Sequence, residues 1–512
     1  MKGLKQKHFT SVDLVKAYLR RIQEVQSQLH VVTEINPDAI SIAVTLDAER
    51  AHGKLRSALH GLPMLVKDNI ATNDKMNNSA GSFALLGAKV PRDSTVVAKL
   101  KAAGVIILGK SSMSEWANFR SGFDNSCNGW SAHGGQVLVH MLRTKTRAGA
   151  RAEAPSVHPL DWPLRRSGLK QAPASSSPAA STTPLESSRR WASRLALLSS
   201  LSASVRTPLG PSPALSPTQP TFSTSSQVRI PVTRTPTRSP SPNRPTTPNP
   251  SKKNFLKGKR IGIPRNAFLP TGDSNIDAPI LAAFEAAIKE LKAAGAIIID
   301  NANFSQWEEY YNSSVTFYGA VNLVVAIDFI TNLPQYFAKL TTNPNNITSL
   351  RALRDFTQHD PRENYPTRDT AVFDAALTVT GDNTAPGFQA FADQTHAWGT
   401  YGGVTGALDT YRLDALVMPS MYAPGVPALA GLPIVTVPMG KYPAGAQVQR
   451  LGPCGLVAVA PNVPIGLSFL GAAWSEEALI GCAFAYEQRT LVRDKVRPIV
   501  MPTSQLEDVV GH

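Results

Sequence analysis

The chain has 512 residues, 42% of them hydrophobic, and carries a net charge of +15, enough for one large α/β domain or two to three smaller ones with an ample core. Its three cysteines, Cys127, Cys454 and Cys482, lie far apart without C-x-x-C spacing, and its ten histidines include no H-E-x-x-H, so neither a disulfide framework nor a zinc site is indicated. No Gly-rich phosphate loop occurs, and the chemistry expected is free of metal, nucleotide and other cofactors.

Taken in chain order, Thr10 with Asp13 forms a capping-box signal, after which Val15, Tyr18, Leu19, Ile22 and Val25 line one helical face. A second helix is expected around Ala39 to Ala51, stopping at Gly53. The run GLPMLVKDNI, Gly61 to Ile70, then sets one lysine, Lys67, at the end of an apolar strand. Desolvation there can bring a lysine pKa into the range useful to a general base. By itself the decapeptide reads more readily as a strand from which Lys67 opens a solvated turn with Asp68 and Asn69. Ser94 caps a further helix through Ala103, Gly104 ends it, and Val105 to Leu108 reads as a buried strand. The later half predicts strands at Arg260 to Ile263, Ala296 to Ile299, Ala415 to Met418, Ile434 to Val437 and Ile465 to Leu470. Helices are expected from Ala278 to Ala294 and from Ser475 to Gln488. Strands alternating with helices argue for an open α/β sheet covered on both faces.

The positive charge is local. Between Val137 and Pro250 there are 15 Lys+Arg against 3 Asp+Glu, whereas the other 398 residues hold 37 against 34. The same segment contains 18 of the 40 prolines and only three glycines, Gly149, Gly168 and Gly210. It therefore divides the chain into 1–136, a Pro/Ser/Thr/Arg-rich stretch 137–250, and 251–512. No signal peptide opens the sequence, and apolar runs such as Leu416 to Met439 are interrupted by prolines short of a membrane span. The expectation is a cytoplasmic protein with no membrane segment, whose abrupt start so close to a helix is compatible with an incomplete N-terminus.

LHGLPMLVKDNIAT, the following SAGSFALLGAKVPRDSTVVAKLKAAGVIILGKSSMSEWANFRS, and GWSAHGGQ resemble the amidase signature family, most closely its fungal members. DALVMPS, AGLPIVTVPMG and PIGLSFLGAAWSEEALIGCAFAYEQRT resemble that family's closing strands and last helix. The resemblance covers about Phe9 to Gln136 and Lys257 to Val500. It implies an α/β domain on a large mixed twisted sheet with helices on both faces, and a serine–serine–lysine triad that cleaves small-molecule amides. In that chemistry one serine attacks the amide carbonyl, a second serine held by a cis peptide relays its proton to a neutral lysine, and backbone N–H groups stabilise the oxyanion. Lys67 matches the lysine. The two serine motifs, a G-S-S-S-G-S loop and a T-E-T-x-G-S-I turn, are absent.

They should lie within 137–250, where serines such as Ser175 to Ser177 stand among prolines with almost no glycine to form the tight turns of an oxyanion hole. Reading the underlying DNA one nucleotide earlier leaves a few residues possible at each position. TKTRAGARAEAPS, Thr144 to Ser156, then permits NQDPCGSSSGSAV, and LKQAPAS, Leu169 to Ser175, permits TETSSSI. PLESSRRWAS, Pro184 to Ser193, permits AVGIKPTVGL, and Ser199 to Ser216 permits VIPISERQDTVGPLARTV. The resemblance thus implies a relay serine in the slot of Ala150 and a nucleophile in that of Ala174, with frame restored near Ser251. The slot of Pro173 cannot encode the usual glycine, which departs from the family pattern. As it stands the chain is expected to be inactive, with residues 137–250 outside the fold.

A different function class is a non-catalytic protein whose basic segment binds nucleic acid or other acidic partners through stretches such as TRTPTRSPSPNRP. Only Trp162, Trp191 and Phe222 interleave there as aromatics, which argues against a base-stacking platform. Among other residues, Glu115 and Trp116 read as structural residues on a helix, and Ser131 with Gly134 and Gly135 as a stretch preceding the triad loop. His133 reads as a surface residue, and Cys454 and Cys482 as core or near-core positions. The identity of the amide and the oligomeric state are not legible.

Overall fold

The computed structural model describes residues 2–122, 125–138, 253–270, 273–314, 320–384, 387–451, 455–496 and 498–510. Residues 139–252, which hold the slots of Ala150 and Ala174, lie outside the described residues, as does Cys454.

The N-terminal part grows from the expected capping box, in which the Asp13 carboxylate accepts from Thr10 N–H and the Thr10 hydroxyl accepts from Asp13 N–H, opening a helix over Ser11–Leu29. Asp47, on the Ala39–Ala51 helix, accepts from the next two amides, Ser11 at 2.9 Å and Val12 at 3.0 Å. The two helices are thereby pinned together at an end whose donors would otherwise be unmatched. They bury Val15, Ala43 and Leu46 against Ile106 and Leu108 of a three-stranded sheet. That sheet consists of β1 (Val32–Ile35), β2 (Pro63–Lys67) and β3 (Ile106–Ser111), in the order β1-β3-β2. β2 and β3 run parallel and are joined by a helix over Thr95–Ala102. Its N-terminus is capped by the Ser94 hydroxyl, and Gly104 follows with φ +82°, where a Cβ would lie 2.7 Å from the His60 ring. Ile106, Ile107 and Leu108 are at most 3% exposed, each burial contributing about 1.5–3 kcal/mol before chain entropy is charged against it.

A short hairpin follows, of β4 (Trp130–Ser131) and β5 (Gly135–Gln136). The later part contains β6 (Arg260–Gly262), β7 (Ile297–Ile299), β8 (Ala415–Pro419), β9 (Ile434–Lys441), β10 (Gln449–Leu451), β11 (Leu456–Val459) and β12 (Pro464–Leu470). Five of these form a mixed sheet in the order β7-β6-β8-β12-β9, with β6 parallel to β7 and β8 and β12 antiparallel to both neighbours. The unbroken apolar run of β8 has a simple cause. Ala415 and Val417 join one core with the Ser274–Ala293 and Glu476–Thr490 helices, while Leu416 and Met418 join the core on the opposite face with Val404, Leu408 and Val426. A strand covered on both faces has no position left for a polar residue.

The fold is the mixed α/β architecture expected, and among the described residues its sheet lies in two pieces of three and five strands besides two small ribbons. A helical layer of Ala320–Phe337, Leu350–His359 and Ala371–Leu377 was not anticipated from the sequence. Its Phe329, Leu333, Leu353 and Phe373 close over Ala80, Ala84, Leu85, Ala88 and Trp116 of the N-terminal part. No helix among the described residues is long and apolar enough to cross a membrane. The cysteine expectation needs correction. Cys127 is disulfide-bonded and buried, although nothing in the spacing indicated it. Such a bond suits an oxidising compartment, so cysteine usage lends no support to a cytoplasmic location.

Candidate active site

Lys67 is the last residue of β2, paired with Ser111 of β3. Its half-buried side chain donates from Nζ to the Ser112 carbonyl at 2.7 Å. That carbonyl is held in place from several directions. Ser112 N–H donates to Val31 O at 3.0 Å, its hydroxyl donates to His30 O at 2.7 Å, and Thr33 Oγ1 donates to that hydroxyl at 3.1 Å. Burial lowers the Lys67 ammonium to about 8, and the neighbouring charge of Asp68 works in the opposite direction. The solvated-turn alternative is therefore corrected: the strand ends in a largely desolvated lysine bonded to a fixed acceptor.

A second lysine, Lys110, is fully buried next to it on β3 and donates to Ile70 O at 2.6 Å and Asn78 Oδ1 at 2.9 Å. It too is lowered to about 8, chiefly by burial and against the pull of Asp68. Asp68 is 1% exposed. Its Oδ2 accepts from the Ser79 hydroxyl and from Gly81 N–H at 2.8 Å, and its Oδ1 has no hydrogen-bond partner among the described residues. Gly81 is required there: its φ is +83° and a Cβ would lie 2.6 Å from Ser131 Cβ. Ser79 Oγ also meets His133 Nδ1 at 3.2 Å, so His133, expected as a surface residue, is half-buried and tied to a buried serine. The residues with their partners along this line, Asp68, Ser79, His133 and Lys110, were missed because each is unremarkable in the sequence until the chain folds.

Glu115 and Trp116 also depart from expectation. They begin a tight turn over Glu115–Asn118 in which Trp116, Ala117 and Asn118 have φ of 48°, 56° and 67°, so no regular helix forms. The structural role expected for them fits the contacts. Glu115 accepts from Ala132 N–H at 2.8 Å and, with Glu363, flanks the guanidinium of Arg120. All three side chains are at most 2% exposed. Burial, then the charge of Glu363, pushes the Glu115 carboxyl well above the ordinary carboxylate range. Ser131 is buried and accepts from Gly134 N–H at 3.0 Å, a turn-stabilising contact. Cys482 is buried and free, as a core position should be. Among the described residues no three His, Cys, Asp or Glu side chains gather to hold a metal ion.

The geometry has counterparts in known proteins. The family model described as Amidase matches residues 13–130, which include Lys67, Asp68, Ser79 and Lys110. An amidase homologue of Arthroderma benhamiae is 37% identical over 99% of this chain and 87% of its own length. An amidase homologue of Arabidopsis thaliana is 29% identical over 95% of this chain and 88% of its own. Of solved structures, the native peptide amidase of Stenotrophomonas maltophilia superposes with a TM-score of 0.65 at 25% identity, covering 98% of this chain and 97% of that one. A sequence match of this extent to a fungal amidase homologue, together with the shared α/β architecture, establishes that the chain belongs to the amidase family.

Proposed function

We propose that the intact product of this gene hydrolyses small-molecule amides to a carboxylic acid and ammonia or an amine, with Lys67 as the base, and that the present chain is inactive. The observation carrying this is the state of Lys67: desolvated at a strand end, lowered to about 8, and hydrogen-bonded to the fixed carbonyl of Ser112. A base near pH 8 can take a proton from a serine relay at moderate cost. In the family chemistry a serine oxygen adds to the amide carbonyl as its proton passes through the relay serine to the lysine. The C–N bond then breaks as the nitrogen takes that proton, and water hydrolyses the resulting ester. Without either serine motif, Lys67 has nothing to deprotonate. The domain division 1–136, 137–250 and 251–512 belongs to the same proposal, the middle stretch being an out-of-frame reading of the catalytic segment.

Sequencing of the transcript across codons 130 to 255 tests the gene-level part; a missed splice boundary, a sequencing error or a paired frameshift is expected. A fluorophosphonate probe tests the protein. It should label a chain restored to the displaced frame and leave the present chain unlabelled, and labelling of the present chain would refute its inactivity.

A further inference from the structure

Lys67 Nζ donates to a backbone carbonyl, that of Ser112, and such an acceptor points wherever its peptide is held. Ser112 lies one residue past the end of β3 and is 3% exposed, and its hydroxyl donates to His30 O at 2.7 Å. His30 is the left-handed cap that ends the Ser11–Leu29 helix, with φ 50° and ψ 38°, and its own N–H donates to Gln26 O at 2.9 Å. A second contact comes from β1, whose pairing with β3 slips at one position. Val32 lies opposite Ser111 and Glu34 opposite Lys110, so Thr33 between them is an extra residue. A bulge of this kind leaves its residue out of the ladder and re-aims the side chain. Here Thr33 Oγ1 donates to Ser112 Oγ at 3.1 Å. The β4–β5 turn comes close over the pair, since a Cβ on Gly134 would lie 3.3 Å from Thr33 Oγ1 and 3.5 Å from Ser112 Oγ.

We infer that Ser112 and Thr33 are positioning residues for the lysine site, their linked hydroxyls holding the Ser112 carbonyl on the line along which Lys67 Nζ donates. This rests on the reading of Lys67 as the base. A neutral amine has two N–H groups and one lone pair. With one N–H held by the carbonyl, the lone pair is turned away from that carbonyl and is free to take a proton, and the same hydrogen bond survives when the ammonium forms. Fixing the acceptor therefore fixes where the base accepts. It also favours the ammonium, because a hydrogen bond to the charged form stabilises that form.

The test reads Lys67 directly and needs no turnover. The full-length chain and its variants are exposed to trace acetic anhydride across a pH series, and the Lys67-containing peptide is quantified by mass spectrometry, with Lys67→Met confirming the assignment and circular dichroism confirming the fold. The titratable side chains at this end of the sheet, His30, Glu34, Asp68 and Lys110, are kept in every variant. Ser112→Ala removes the hydroxyl and loosens the acceptor, so the Lys67 midpoint should fall by at least about 0.3 of a unit, roughly a doubling of labelling at a fixed pH below it. Thr33→Val should move it the same way by less, and Thr33→Ser, which keeps the hydroxyl, should leave it at the wild-type value. Residues that merely support the fold predict the opposite sign, because a loosened site admits water and sends the midpoint up toward the ~10.4 of an exposed lysine. If Ser112→Ala fails to fold, the comparison of Thr33→Val with Thr33→Ser decides the matter. Unmoved or raised midpoints in the folded variants, or a Thr33→Ser that behaves as Thr33→Val does, would overturn the inference. A wild-type Lys67 that titrates like an ordinary exposed lysine would instead remove the base reading itself.

Discussion

Replacing Arg120 with methionine keeps the length of the side chain and removes all of its donors. In the wild type Nη1 reaches Glu115 at 2.5 Å and Glu363 at 2.8 Å, Nη2 donates to the carbonyls of Glu363 at 2.5 Å and Arg368 at 2.9 Å, and Nε donates to that of Asp369 at 3.4 Å. The variant leaves two buried carboxyl groups facing one another and three carbonyls short of a donor. Breaking a buried ion pair from one side costs about 3–5 kcal/mol, a large share of the 5–15 kcal/mol on the order of which a domain is stable. Glu115, already biased toward its protonated form, can relieve part of this by taking up a proton and donating to Glu363. The cost should therefore be near the upper end at pH 8 and clearly smaller at pH 5. Urea unfolding followed by tryptophan fluorescence suits the measurement, because the guanidinium groups of Arg120 and Arg368 lie 5.5 and 5.1 Å from the centroid of the Trp130 ring. A loss below about 1 kcal/mol at pH 8 would refute the reasoning, since it is less than the desolvation penalty of one orphaned polar group. An equal loss at both pH values would refute the assignment of the proton to Glu115.

Other outcomes follow from the same arrangement. Glu115 has a folded pKa raised above its unfolded value, so its contribution to stability is present at low pH and is lost as pH rises toward the folded value; Glu115→Gln should flatten that decline in denaturation curves recorded between pH 4 and 8. Lys110 is lowered to about 8 when folded and titrates near 10.4 when unfolded, so the unfolded chain binds the extra proton between these values and wild type should gain stability relative to Lys110→Met as pH rises through that window. In a chain restored to the displaced frame, amide hydrolysis should fall away as pH drops below about 8, where Lys67 becomes protonated, and Lys67→Met should abolish it. Thiol titration in denaturant should find Cys482 reactive without reductant and Cys127 reactive only after reduction.

The elements that could be read from the sequence were those whose signals are local. Thr10 and Asp13 announce a helix start by their spacing alone, and Gly104 announces an end because only glycine is comfortable at its φ of +82°. The strand leading to Lys67 was legible because Pro63 to Val66 are apolar and are followed by charge. The helices from Ala320 to Leu377 went unread because they owe their places to Phe329, Leu333 and Phe373 packing on residues more than 200 positions earlier. The same distance hid the site's surroundings. Ser79, His133 and Asp68 have no common spacing motif and meet only once the loop of residues 79–82 folds against the β4–β5 hairpin. Glu115 resembled a helix residue because its neighbours favour helix; the buried contacts with Arg120 and Ala132 N–H override that preference and turn the backbone left-handed.

The clamp at Arg120 also has a polymer-physical consequence. Arg120 and Glu363 are 243 residues apart in the chain, so their contact closes a very large loop. The entropy of such closure grows with the logarithm of loop length, about 0.6 kcal/mol for each doubling. Excising or lengthening the intervening chain by a hundred residues would alter the closure term by less than about 1 kcal/mol, below the cost of losing the guanidinium. The contact at Arg120 is thus nearly indifferent to how much chain runs between its two partners. A lineage could change, lose or recover that intervening stretch with little thermodynamic resistance from the contact that joins its flanks.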